Sequence, residues 1–319
     1  MSSSPIKIGV VGVGHLGYHH ARLYSESEHA DLVGICDSRE DHGKKVAEEF
    51  NTAYVDSIEA LIALGVQAVS VAVPTVGHHE VVVKLLYADI DVLVEKPIAT
   101  TLDEARAMVE LAKEKDCLLQ VGHVERFNGA VMGLRKAIKA PRFIECHRMS
   151  PFPNRGDDVS VILDLMIHDI DVIMALDDSE IVSIDAVGVA VLSKQEDIAN
   201  VRLRFASGCV ANLTASRISL ERMRKIRIFE ENAYVSTDYS EQEVMIYRKK
   251  TEGLAEDASP MEAIVIEPLE IERVEPLKVE ITSFLECVAS RETPIVSGEA
   301  GLRALQLAHD IMDFIRDHS

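Results

Sequence analysis

Residues 6–17 read IKIGVVGVGHLG. The apolar run Ile6–Val11 meets Gly12, Gly14 and Gly17, which predicts a buried strand, a tight turn and the start of a helix. The first backbone N–H groups of a helix have no partner inside it, so they suit a pyrophosphate. In this reading Gly12 permits the turn, Gly14 lets the backbone approach phosphates, and Gly17 lets helix and strand pack closely. His15 and Leu16, between those glycines, are candidate cofactor contacts with them. The competing reading is a turn whose glycines serve packing only.

The context supports a cofactor. A second apolar run, Leu32-Val33-Gly34-Ile35-Cys36, ends in Asp37, 20 residues after Gly17. A dinucleotide fold places there the acid that holds the adenosine ribose hydroxyls. A carboxylate accepts hydrogen bonds from a 2′-OH and repels a 2′-phosphate, so Asp37 favours NAD over NADP. Arg39 is the counterweight, because a guanidinium can pair with that phosphate. In the packing-only reading Asp37 caps a helix.

The alternation of strand and helix continues to about residue 123. Strands are predicted at 6–11, 32–36, 68–73, 91–94 and 118–121, with helices over Ile58–Leu64, His78–Tyr87 and Leu102–Lys115. Thr101 and Glu104 form a capping-box start for the last of these. Such alternation gives a parallel sheet covered on both faces, with ligands at the carboxyl ends of its strands. After residue 124 the rhythm changes. A helix over 128–139, a strand over 142–149 and an amphipathic helix over 159–176 lead into strands at 181–192, 200–206, 209–216, 224–230, 233–237 and 243–248. Residues 251–260 read as an exposed loop, and helices over 278–290 and 298–317 close the chain. The fold class is therefore α/β: a Rossmann domain over 1–123, then an α+β domain over 124–319 with a large, open, mostly antiparallel sheet. The two terminal helices are candidates to pack back on the first domain. An open face of Val- and Ile-rich strands needs a cover, which points to a homo-oligomer, dimer or tetramer, packing sheet on sheet.

Composition narrows the function. The 319 residues carry a net charge of −20, which argues against nucleic acid or an anionic membrane as main partner. Hydrophobic residues make up 47%, enough for a sizeable core. Five cysteines without C-x-x-C spacing read as reduced thiols of a cytoplasmic protein, neither a disulfide frame nor a zinc site. The opening MSSSPIK has no apolar signal core, and no run reaches transmembrane length.

Glu95-Lys96-Pro97 directly follows the strand 91–94 and so lies at a carboxyl strand end. A lysine there can place an ammonium beside a reacting oxygen. The alternative is an ordinary surface lysine. Pro74, Thr75 and His78 end the strand before it and are candidates to line a cofactor, as is Glu95. Asp164 and His168, four residues apart in an otherwise apolar helix, share one face. A carboxylate beside an imidazole can make a general base near neutral pH. A structural pair, or a metal site completed by Asp169 or Asp171, is the alternative. His19 and His20 read as surface or supporting residues. Arg126, Arg142, Arg148 and Arg155 form one basic group, and Arg217, Arg222, Arg224, Lys225 and Arg227 a second. Either group could hold an anion such as a diphosphate; outward-facing strand charges are the alternative for the second.

Taken together, GVGHLG, Val73-Pro74-Thr75, Glu95-Lys96-Pro97, Gln120-Val121-Gly122-His123 with Arg126-Phe127-Asn128, and DLMIHDID resemble the Gfo/Idh/MocA oxidoreductase family over essentially the whole chain. The resemblance implies NAD as cofactor and no metal. It gives Lys96, Asp164 and His168 the catalytic roles, and brings Arg126, Asn128 and Arg155 into the substrate site. Thr75 stands where many members have Asn, and DDVSVILD replaces the usual glycine-rich lead into the Asp helix. HVERFN, HRMSPFPNRG, LTASRIS and RKIRIF are similar to the branch that oxidises UDP-N-acetylglucosamine to a 3-keto sugar for amination toward lipid A. A free polyol such as an inositol is the alternative substrate. A non-catalytic NAD(P)-binding regulator is the alternative of another class.

Overall fold

The computed structural model describes residues 4–152, 159–250 and 264–318. The predicted loop at 251–260 and the candidate Arg155 lie outside the described residues. The chain divides into two compact units, Met1–Val124 with Glu275–Leu305 and Glu125–Val274 with Gln306–Ser319.

The first unit is built on β1 (Ile6–Val11), α1 (His15–Ser25), β2 (Ala30–Cys36), α2 (Glu40–Glu49), β3 (Ala53–Val55), α3 (Ile58–Ala63), β4 (Ala68–Val71), α4 (His78–Tyr87), β5 (Asp91–Glu95), α5 (Leu102–Glu114) and β6 (Leu119–Gly122). Its sheet has the order β3-β2-β1-β4-β5-β6, and every pairing is parallel. β4 and β5 are buried along their whole length, as strands covered on both faces must be. The order reverses beside β1, so the ligand crevice of this sheet lies at the carboxyl ends of β1 and β4. The capping box at Thr101 forms as read: Thr101 Oγ1 accepts from the Glu104 N–H, and Glu104 Oε2 accepts from the Thr101 N–H.

Two elements of this unit escape the sequence reading, α2 and β3. α2 buries only Gly43, Val46 and Ala47, so its apolar stripe is thin. Gly43 marks a close approach, since a Cβ there would lie 2.6 Å from the Tyr54 ring of β3. Conversely, the predicted strand 68–73 stops at Val71, and residues 75–77 form a short 3-10 turn after Pro74.

The second unit is carried by α6 (Gly129–Ala137), β7 (Phe143–Met149), α7 (Ile167–Leu176), β8 (Ile181–Val189), β9 (Ile198–Phe205), β10 (Val210–Ser216), β11 (Met223–Phe229), β12 (Ala233–Asp238), β13 (Glu243–Lys249) and β14 (Ile264–Pro268). Its eight-stranded sheet has the order β14-β13-β12-β11-β7-β10-β9-β8, antiparallel except where β10 meets β7. Burial alternates along the strands. Ile144, Cys146, Val201, Leu203, Ile226 and Ile228 face the core, while Arg202, Arg204, Lys225 and Arg227 face out. β14 was not read from the sequence.

The outward face mixes exposed Val and Ile, such as Val187 and Ile266, with polar groups. Its middle carries paired polar groups, with Arg202 donating to Asn212 at 3.0 Å and Arg227 to Glu145 at 3.2 Å. Aromatic rings form a row across neighbouring strands: Phe143 to Phe229 at 5.6 Å, Phe229 to Tyr234 at 4.8 Å, Tyr234 to Tyr247 at 4.8 Å. Ile266 stands opposite Tyr247 on β14.

α8 (Pro276–Ser290) returns to the first unit, where Ile281, Phe284 and Leu285 join the core of Ile8, Val10, Ile35 and Leu93. α9 (Gly298–Asp317) begins in the first unit and ends in the second. All five cysteines are free thiols. Among the described residues no helix is long and apolar enough to cross a membrane.

Candidate active site

Gly12 has φ +83°, a conformation that L side chains rarely adopt, and a Cβ there would lie 2.9 Å from the Ala72 backbone. A Cβ on Gly17 would stand 1.8 Å from Gly12 O. These two glycines therefore serve close packing of turn, helix and strand. Gly14 differs: the nearest atom to its hypothetical Cβ is Arg39 Nη2 at 3.9 Å. It is the N-cap of α1 and offers no side-chain hydrogen bond to the backbone N–H groups of the helix start. His15 and Leu16 are exposed on that first turn. A cradle open at Gly14, beside a helix start, fits a dinucleotide pyrophosphate.

Asp37 is buried at the end of β2, 7% exposed. Its Oδ2 accepts from the Val13 N–H at 2.8 Å and its Oδ1 from the Arg39 N–H at 2.8 Å. Arg39 Nε approaches Oδ1 at 3.3 Å. Burial pushes the carboxyl up, but those donors outweigh it and hold Asp37 below its ordinary value. An ionised carboxylate has about four acceptor positions, so Asp37 keeps capacity for ribose hydroxyls. The Arg39 side chain is 61% exposed and free to turn outward.

Lys96 follows β5 and is half-buried, with a cis bond to Pro97. Pro74 is exposed and Thr75 half-buried on the turn after β4. His78 is buried, Nδ1 lying 3.0 Å from Pro97 O and Nε2 3.0 Å from Val73 O. Both neighbours are carbonyl acceptors, so the neutral ring donates its single N–H to one of them. Burial pulls the His78 pKa down, against the carbonyls and Glu95, which pull it up; the net shift is downward. His20, read as a surface or supporting residue, is fully buried. Its Nε2 meets Glu95 Oε1 at 3.0 Å and its Nδ1 meets Ser70 Oγ at 3.1 Å. Burial raises the Glu95 pKa, and the contact with His20 followed by the Lys96 charge more than reverses this. Glu95 is thereby an internal anion of this unit. His20 is the residue that sequence reasoning missed. Its neighbour His19 concealed the signal, since adjacent helical positions point to different faces.

In the second unit Asp164 and His168 do not lie on one uninterrupted α-helix. Residues Ile162–Met166 form a π-helical turn that gives way to α7 at Ile167. Asp164 lies in the π turn and His168 in the first turn of the α-helix, both half-buried, with His168 Nδ1 enclosed. Single π turns inside helices are frequent at functional sites.

The neighbouring acids are committed elsewhere. Arg148 binds Asp169 through Nε and Nη2, both at 2.9 Å, and Glu125 through Nη1 at 3.0 Å. Burial opposes the Arg148 charge, but Asp169 and Glu125 outweigh it and raise its pKa. Arg126 donates to Asp171 at 3.2 Å. The metal alternative therefore loses Asp169 and Asp171 to arginines. Among the described residues, no group of three or more His, Cys, Asp and Glu could hold a metal. Asn128 caps α6, its Oδ1 accepting from the Ala130 N–H at 3.0 Å, while its Nδ2 donates to Tyr239 O at 3.1 Å. Several members of the two basic groups are paired within the protein. Arg126 and Arg148 are internal, Arg217 is wholly buried, and Lys225 and Arg227 pair with Asp238 and Glu145.

Comparison with known proteins agrees with this architecture. The model of the oxidoreductase family with an NAD-binding Rossmann fold matches residues 6–123, and that of the GFO/IDH/MocA C-terminal domain matches 131–236. The chain is 35% identical to UDP-N-acetylglucosamine 3-dehydrogenase of Acidithiobacillus ferrooxidans, over 95% of each chain. A solved structure of that enzyme superposes with TM-score 0.90, covering 97% of each chain at 34% identity. Myo-inositol 2-dehydrogenase of Thermotoga maritima is 28% identical over 95% of this chain and 94% of its own. The expectations of an oxidoreductase, of NAD and of the α/β class hold. The chain belongs to the Gfo/Idh/MocA family of NAD-binding oxidoreductases.

Proposed function

We propose that the protein oxidises a secondary hydroxyl of a nucleotide sugar, UDP-N-acetylglucosamine to its 3-keto form. The observation that carries this reading is the 35% identity, over 95% of both chains, to an enzyme named for that reaction. The ketone made this way would be consumed by an amination, as in synthesis of an aminated lipid A. Gly12, Gly14 and Gly17 with the start of α1 would hold the pyrophosphate, and Asp37 the adenosine ribose. NAD bound there supplies the hydride acceptor. His168 takes the hydroxyl proton through Nε2, the nitrogen remaining when Nδ1 is enclosed. Asp164 steadies the imidazolium, and Lys96 donates to the oxygen as it gains charge. Arg155 contributes to the diphosphate subsite.

The first unit serves the cofactor in this reading, and the second serves substrate and assembly. The aromatic row from Phe143 to Tyr247, continued by Ile266, is the contact for a second copy. The protein works in the cytoplasm.

The test is NADH absorbance with a panel of UDP-sugars and polyols, with an aminotransferase present to consume the ketone. UDP-N-acetylglucosamine should give NADH, with His168→Ala and Lys96→Ala each slower by on the order of 10²-fold while NAD still binds. Turnover of inositols without UDP-sugars would overturn the nucleotide-sugar reading; the 28% identity to a myo-inositol dehydrogenase favours that second reading. NAD binding with no turnover on any alcohol would overturn both and indicate a regulator.

A further inference from the structure

Two buried imidazoles flank the segment that carries Lys96, one reaching the residue before it and one the residue after. His20 and His78 are 0% and 1% exposed. On the first side the contacts form one consistent chain when the His20 proton sits on Nε2, where the Glu95 carboxylate can only accept. Ser70 O–H then donates to His20 Nδ1 at 3.1 Å, and Ser70 Oγ accepts from Tyr24 O–H at 2.7 Å. His20 Nε2–H then donates to Glu95 Oε1 at 3.0 Å, while the backbone N–H of Lys96 donates to Glu95 Oε2 at 3.3 Å. The Glu95 carboxylate therefore ties the Lys96 backbone to α1 and β4. On the second side His78 Nδ1 lies 3.0 Å from Pro97 O and its Nε2 3.0 Å from Val73 O. Both oxygens are acceptors and the neutral ring has one N–H; placed on Nδ1, that proton ties the residue after Lys96 to the start of α4.

We propose that His20 and His78 are positioning residues that fix the Lys96 backbone from both sides, through Glu95 and through Pro97 O, and so set where the Lys96 ammonium is presented. The inference rests on the catalytic reading of Lys96 given above. A buried acceptor stripped of its donor must find another or move, so loss of either imidazole releases the turn. A long, flexible lysine stem magnifies any backbone displacement at its root. A shift of about 1 Å in a catalytic group is enough to cost on the order of 10²-fold in rate.

The two contacts of His78 can be separated by amide side chains. His78→Asn retains a donor at the Nδ1 position, toward Pro97 O; His78→Gln retains one at the Nε2 position, toward Val73 O. If His78 merely fills the core, the two variants behave alike. If it positions Lys96, His78→Asn outperforms His78→Gln by on the order of tenfold or more in kcat, with KM for NAD unchanged. His20→Gln, which keeps the donor toward Glu95, should likewise outperform His20→Leu.

A readout free of turnover accompanies this: trace acetylation of the folded protein, with each lysine quantified by mass spectrometry. The labelling of Lys96 relative to Lys84 and Lys113 should change by about threefold or more in His78→Gln and stay near wild type in His78→Asn. Should His20→Leu fail to fold, the His78 pair alone decides. Equal Lys96 labelling in wild type and both His78 variants would overturn the clamp. Altered labelling in His78→Gln with undiminished turnover would support the clamp and overturn the catalytic role of Lys96.

Discussion

Arg217 Nε donates to Asp197 Oδ1 at 2.8 Å, and neither side chain has any exposed surface. The same guanidinium donates to Val159 O at 2.6 Å and to Ser193 Oγ at 2.8 Å. Asp197 Oδ2 in turn gathers the N–H groups of Val191, Leu192 and Ser193 at 2.6–2.9 Å. One ion pair thus fixes the loop after β8 and the backbone just ahead of the π turn that carries Asp164. Breaking a buried pair on one side leaves an uncompensated charge, at a cost of about 3–5 kcal/mol. Arg217→Met should lower the unfolding free energy in urea by that amount, and adding Asp197→Asn, which removes the charge but keeps an acceptor oxygen for the three N–H groups, should restore part of it. A single variant within about 1 kcal/mol of wild type would show that the pair does not hold this region.

The same acid makes stability depend on pH. Burial works against the Asp197 charge, but the N–H groups of Ser193 and Leu192 and the Arg217 guanidinium outweigh it and hold the carboxyl well below its ordinary range. Asp37 is shifted in the same direction. A carboxyl with a folded pKa below the unfolded value of about 3.9 contributes its full stabilisation above that pH. The contribution is lost as pH falls toward the folded pKa, because the unfolded chain takes the proton first. His78 acts in the same sense from higher pH. Its folded pKa lies below the free value of about 6.5, so protonation of the unfolded chain begins to cost stability there. Unfolding free energies between pH 7 and pH 3 should decline throughout. Asp197→Asn should flatten the limb below about pH 4 and leave the limb near pH 6 unchanged.

The three glycines of the opening turn separate into two kinds. A Cβ at Gly17 meets Gly12 O at 1.8 Å, and one at Gly12 meets the Ala72 backbone at 2.9 Å from a left-handed conformation. Gly17→Ala and Gly12→Ala should therefore reduce stability, each by several kcal/mol on the scale of severe core strain. Gly14→Ala meets nothing closer than 3.9 Å, so the fold should tolerate it. Its effect should appear in NAD affinity, weakened by on the order of tenfold or more as the methyl enters the space for phosphate. Calorimetric titration with NAD suits this chain, which has no tryptophan. Unchanged affinity in Gly14→Ala would move the pyrophosphate elsewhere.

Local rules made the first unit legible from the sequence. Short Val- and Ile-rich runs, a glycine turn and a capping box each specify geometry within a few residues. What escaped depended on distant partners. α2 is a mostly polar helix whose narrow buried stripe of Gly43, Val46 and Ala47 packs beside Tyr54, and β14 is defined by pairing with β13. Lys96, Asp164 and His168 stood out because polar groups interrupt apolar runs. The π turn at 162–166 has no such mark, since its residues read as ordinary helix. Arg148 and Arg126 looked like anion ligands because their carboxylate partners Asp169 and Asp171 lie on another element, about 20 to 45 residues further along. His20 was obscured by its distance from Glu95, 75 residues away in the chain.

The Asp37–Arg39 pair predicts how the cofactor preference can be moved. Asp37 is fixed by the Val13 and Arg39 N–H groups, whereas the Arg39 side chain is mostly in solvent and held only through Nε. In Asp37→Ser the charge that repels a 2′-phosphate disappears and the guanidinium is released to meet it. The ratio of kcat/KM for NADP to that for NAD should rise by on the order of 10²-fold, and Arg39→Ala in the same background should reverse most of the gain. If Asp37→Ser lowers both values equally, the carboxylate supports the turn around Val13 and does not select the cofactor.

The aromatic row supplies the last prediction. Four rings from Phe143 to Tyr247 lie side by side across β7, β11, β12 and β13, half-buried in the isolated chain. Ile266 extends the row and is 54% exposed. Rings that stack along a sheet at spacings near 5 Å leave a flat apolar strip, which water wets poorly and a second copy can cover. Tyr234 sits at the centre of the strip, so Tyr234→Asp would bury a carboxylate between two such surfaces. Sedimentation should show wild-type protein as an oligomer and this variant at least tenfold weaker in association, equivalent to about 1.4 kcal/mol. Arg202→Ala, on the polar part of the same face, should have a much smaller effect. An equal loss in both variants would place the contact on the charged middle of the sheet.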